Sequence, residues 1–167
     1  MSLDTSTMRI DYMVKKSIKI VQENSDWIQI VPHGVMHFPR EFEMADKTAT
    51  LLSIKGIDKI FHDNDVQYEK GFKAPYWLWN ENVVSVLDNR GWWGAVDRNQ
   101  PEMLKTKRFF KYNYSISDVF WESDKDLLKL HGHMDGTSDN DIVESFMNLM
   151  KMPQAEFVFV SELLEDR

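Results

Sequence analysis

Serine and histidine side chains follow one another along this chain in an order that would serve acyl transfer. Ser117 stands in Tyr112-Asn113-Tyr114-Ser115-Ile116-Ser117-Asp118-Val119-Phe120. A serine attacks a carbonyl when a neighbouring base takes its proton and donors hold the oxyanion. His62, in Phe61-His62-Asp63, is the candidate base, because an imidazole titrates near neutrality. His131 and His133, in Leu130-His131-Gly132-His133-Met134-Asp135, are candidates to orient His62, with Asp135 a weaker one. Each residue also has an ordinary reading: a half-exposed strand serine, a surface histidine in a loop, a polar strand end. No G-x-S-x-G elbow is present to favour the chemical reading.

Two segments offer metal chemistry instead. Strand alternation would put His131, His133 and Asp135 on one face, a donor set suited to zinc and hence to a zinc-dependent hydrolase. His33-Gly34-Val35-Met36-His37, followed by Glu41, is faintly similar to a cupin metal box but departs from it in spacing. Pro32, Gly34 and Pro39 forbid a helix that would align those three side chains, so the segment reads as a loop.

Composition narrows the classes. A chain of 167 residues suggests one domain that buries about two-thirds of its unfolded surface. The formal net charge of −7 argues against a phosphate-tracking surface, and no nucleic-acid partner is expected. With no Cys, a disulfide scaffold, a thiol nucleophile and thiolate metal sites are excluded. No run approaches a membrane span, so no membrane partner is expected. Six Trp, ten Phe and five Tyr make ring burial the expected source of core stability. Trp77, Trp79, Trp92 and Trp93 read as core packing more readily than as a stacking groove.

The elements that would position these residues follow from periodicity. Residues 1–16 read as a flexible tail and 17–167 as a single α+β domain. Ser17–Val21 and Trp27–Val31 alternate as a hairpin. Asp46 caps a helix over Lys47–Lys55, which Gly56 ends, and Lys59–His62 follows as a short strand. Tyr76–Leu87 reads as a long strand, and Trp92–Val96 returns antiparallel to it. Pro101 opens a short helix, and Phe109–Trp121 and Asp126–His133 read as strands. Ser138 or Asp139 caps a helix over Asp141–Met152, and Ala155–Leu164 is a final strand, or a helix at its charged end. The expected fold is a mainly antiparallel sheet or distorted β-barrel with about three short flanking helices.

Four segments resemble the Mu-type phage capsid-maturation (prohead) protease family, which is related in fold to the herpesvirus assembly proteases. They are Trp27-Ile28-Gln29-Ile30-Val31-Pro32-His33-Gly34, Phe61-His62-Asp63, Val83–Val96 with its Asp88-Asn89-Arg90-Gly91 turn, and Tyr114–Phe120. Asp118 stands where that family has proline, and Phe61 where an acidic residue is usual. The resemblance implies a serine endopeptidase that needs no cofactor, with Ser117 as nucleophile and His62 as base. It implies capsid or scaffold proteins as partners, a homo-oligomer as a compatible state, and action in the bacterial cytoplasm within an assembling virion. The alternative is a non-enzymatic phage assembly or protein-binding module on a similar sheet.

Overall fold

A computed structural model describes residues 12–97, 108–112, 114–118, 122, 124–132 and 138–165. Helix α1 spans Tyr12–Glu23, and a long loop leads to α2, Lys47–Asp63. Strand β1 (Gly71–Lys73) passes through a 3-10 turn at Pro75–Trp77 into α3 (Glu81–Asn89). Strands β2 (Trp93–Val96), β3 (Phe109–Lys111), β4 (Tyr114–Ser115) and β5 (Leu130–His131) follow. Helices α4 (Asp139–Leu149) and α5 (Val160–Glu165) close the described chain. Among these residues no helix is long and apolar enough to cross a membrane.

The α+β class holds, but the expected antiparallel sheet or distorted barrel does not. The described strands are short and parallel, in a three-stranded sheet ordered β1-β2-β3 and a pair β4-β5. The reason lies in Tyr76–Leu87, expected as a strand. Asn80 caps a helix there, its Oδ1 accepting from Asn82 N at 2.8 Å and Val83 N at 3.3 Å. Val83, Val86 and Leu87 then fall at helical spacing on one buried face. A helix between β1 and β2 carries the chain back to the starting edge, so β2 runs with β1 rather than against it.

Two further strands are helices as well. Asp46 caps α2 as expected, with Oδ1 accepting from Ala49 N at 2.7 Å, but the helix continues through Gly56. Gly56 costs about 1 kcal/mol in a helix relative to alanine. Burying Ile54 and Ile57 on either side returns about 1.5–3 kcal/mol each, so the helix carries on past Lys59–His62. Ser17–Val21 lies inside α1, which replaces the first strand of the expected hairpin. The helix opened by Pro101 lies outside the described residues.

The core sits on one face of the sheet. Phe72, Val96 and Phe109 pack there against Ile54 and Ile57 of α2, Val83 and Leu87 of α3, and Phe42, Trp79 and Trp92. Gly94 lies directly under these rings, since a Cβ at Gly94 would stand 2.4 Å from Phe109 and 2.6 Å from Trp79. Beside this core, the Tyr68 hydroxyl donates to Asp58, whose other oxygen takes Arg90 Nη2 at 3.0 Å. Burial, and then the bond to Asp58, push the Tyr68 hydroxyl up to about 12.

Candidate functional site

The opposite face of the sheet is the notable one. The register aligns Gly71 with Trp93, and Lys73 with Ala95 and Phe110. Alternation points these residues away from the core, so Lys73, Trp93, Ala95 and Phe110 floor a cavity of about 730 Å³. Val31 and Leu128 contribute walls, and Leu149, Met152, Phe157 and Leu163 a roof from the C-terminal segment. Gln29 Nε2 donates to Ser161 Oγ at 3.2 Å, tying α5 to the loop after α1. The volume lies within the ~300–1,000 Å³ typical of ligand sites. It exists because a parallel sheet needs cover on both faces, and α2 and α3 supply only one.

Gly71 sets the depth of the floor. The Trp93 indole lies flat on it, and a Cβ at Gly71 would stand 2.2 Å from the ring. Trp93 is 7% exposed, and its indole N–H has no hydrogen-bond partner among the described residues. A buried donor without an acceptor costs about 1–3 kcal/mol.

Three rings meet at the carboxyl ends of the strands. Trp77 follows β1, Tyr112 follows β3, and His131 ends β5. Trp77 contacts Tyr112 at 5.1 Å and His131 at 4.7 Å between centroids, and Tyr112 contacts His131 at 5.1 Å. Lys73 Nζ lies 4.2 Å above the Trp77 ring, a cation–π contact. Tyr76 and Trp77 both have positive φ, 54° and 62°, a conformation that L residues rarely adopt and that turns Trp77 toward these neighbours. Carboxyl ends of parallel strands are where open α/β sheets bind ligands.

The sequence candidates fall in different places. His62 lies in the last turn of α2 with its side chain 89% exposed, and its ring pairs with Asp63 at 3.6 Å. Lys59 first, and His62 after it, hold the Asp63 carboxyl below its ordinary range. Ser117 lies in a tight turn after β4 rather than mid-strand. Asp118 N donates to Ser115 O at 2.9 Å, and Asp118 Oδ2 accepts from Ser115 N at 2.8 Å. The Ser117 hydroxyl is 2.8 Å from Ser115 Oγ. No hydrogen bond joins Ser117 to His62. His131 is placed nearer, because Ser115 pairs with it across β4 and β5 and Ile116 N donates to His131 O at 2.8 Å. His133 and Asp135 lie outside the described residues. Among those described, no group of three or more His, Asp or Glu side chains is placed to hold a metal ion.

The apolar surface continues outside the cavity. Val143, Phe146, Met147 and Met150 are each at least 59% exposed, at helical spacing along α4 and just beyond it. Asn148, by contrast, is buried. Phe157, 72% exposed, lines the cavity roof. Contiguous exposed apolar surface of this kind marks an interaction site more often than bare solvent contact. No family model, no curated protein and no solved structure matches this chain.

Proposed function

We propose that this chain is a protein-binding module whose cavity takes an apolar segment of a partner protein. The cavity carries the reading. Its walls are apolar, the Trp93 ring covers its floor, and Leu149 and Met152 of its roof lie in sequence beside the exposed apolar stripe of α4. An extended segment fits all three features. Its side chains occupy the cavity against the Trp93 ring, and its flanks lie on Phe146 and Met150. Capsid or scaffold proteins are the partner class that the sequence resemblance implies. Peptides selected from a random library for binding should be rich in apolar and aromatic residues. Ala95→Phe, which fills the cavity from its floor, should weaken their binding at least tenfold. Equal binding by that variant, or no selected binders at all, would overturn the reading.

A second reading, a serine endopeptidase, draws on one observation. Pairing of β4 with β5 sets the Ser115–Ser117 turn beside His131. In that reading His131 takes the Ser117 proton, and His62, exposed on α2, has a different role. Cleavage of a scaffold-like substrate by the native chain and its loss in Ser117→Ala would favour this reading over the first.

A further inference from the structure

The loop between Val31 and Phe42 holds His33 and His37, which neither reading above uses. His33 Nδ1–H donates to the Lys73 carbonyl at 2.7 Å. A carbonyl accepts and never donates, so the neutral ring carries its proton on Nδ1 and its lone pair on Nε2. This is how protein histidines that bind metals are oriented. His37 Nε2 stands 3.1 Å from that lone pair. Glu41 Oε1 accepts from Val35 N at 2.9 Å, and both its oxygens stand 3.4 Å from Met36 N, so it braces the turn between the rings. Gly34, at φ +99°, lies against the end of β1, where a Cβ would come 2.7 Å from Pro75 Cγ. The Tyr76 ring stands beside His37, with centroids 5.3 Å apart.

Two imidazole nitrogens 3.1 Å apart, each about 2.05 Å from one ion, subtend an angle of about 98° at it. That angle lies between those of adjacent ligands in octahedral and tetrahedral complexes. We propose that His33 and His37 form a two-imidazole site for a late first-row divalent ion such as zinc, nickel or copper. Water fills the remaining positions. Imidazole suits these ions, whereas calcium and magnesium take oxygen ligands. In the metal-free loop one N–H bridges the rings. Binding requires His37 Nε2 to be bare, so its proton passes to Nδ1 through solvent, and the neutral pair releases no net proton. The loop rests on Pro75 and Tyr76, so a bound ion stiffens the turn that presents Trp77 to the cavity.

Calorimetric titration of the untagged full chain with zinc chloride at neutral pH tests the site. One ion per chain is expected, with affinity lowered at least tenfold in His33→Ala and in His37→Ala. His131→Ala/His133→Ala, which removes the rival histidines, is expected to keep the wild-type affinity. A measurement on the native chain covers the case in which a variant fails to fold. Long-range 1H–15N spectra should show Nε2 of both His33 and His37 moving into the metal-bound range on zinc addition, with His33 Nδ1 still protonated. Zinc shifts at other histidines would overturn the proposal. So would loss of binding in the His131/His133 variant alone, or no binding at millimolar zinc.

Discussion

Asn80 joins two parts of the fold through one side chain. Its Oδ1 caps α3, while its Nδ2 donates to Glu43 O at 2.7 Å and Ala45 O at 2.9 Å. Loss of an asparagine cap costs about 1 kcal/mol. Each amide–carbonyl bond contributes about 1 kcal/mol net. Asn80→Ala should therefore lose about 3 kcal/mol, which lowers Tm by about 6–12 °C in a domain of this size. Asn80→Ser keeps an acceptor for the cap and loses both donors, so about 2 kcal/mol is expected. Asn80→Asp separates the two roles. It keeps the cap, and the helix dipole favours its charge, yet it sets a carboxylate against two carbonyls. The aspartate variant should be at least as unstable as the alanine one. Urea unfolding followed by tryptophan fluorescence measures all three. If Asn80→Asp matches the native chain in stability, the tie to Glu43 and Ala45 contributes nothing, and the account of why α3 starts where it does is wrong.

Gly71→Ala should lose about 3 kcal/mol, because the new Cβ would stand 2.2 Å from the Trp93 ring; urea unfolding gives the value. The raised Tyr68 hydroxyl contributes stability that is fully present below pH 10 and lost as pH rises through about 12. Unfolding midpoints should fall over that window in the native chain and more shallowly in Tyr68→Phe; equal slopes would remove Tyr68 from the explanation. His62→Ala should leave Tm within about 1 °C, since its side chain is 89% exposed and its partner Asp63 keeps Lys59.

Two of the helix caps were legible in the sequence, because an acidic or hydroxyl side chain before a periodic run has few other uses. Asp46 and Ser138 both cap the helices they announce. Element type was legible where neighbouring residues left no rival pattern, as for the strand ending at Val96. It failed where β-branched residues fill a short buried helix. Val83-Val84-Ser85-Val86-Leu87 has the composition of a strand, and the cap at Asn80 decides for helix. Strand direction was lost with that helix, since a crossover reverses the expected pairing. The cavity had no local signature at all. Its floor and walls come from Val31, Lys73, Trp93, Phe110 and Leu128, which only the parallel register brings together. Trp93 was legible as packing but not as a buried donor, because whether an indole N–H finds an acceptor depends on the tertiary fold.

The most direct test of the binding account watches one proton. The Trp93 indole N–H resonance, assigned by its loss in Trp93→Phe, is followed as a selected apolar peptide is added to the 15N-labelled chain. A shift that saturates with binding is the expected result, because the peptide's side chains pack on the Trp93 ring that floors the cavity. A Trp93 indole resonance unmoved at saturating peptide, with shifts confined to other surfaces, would contradict the account.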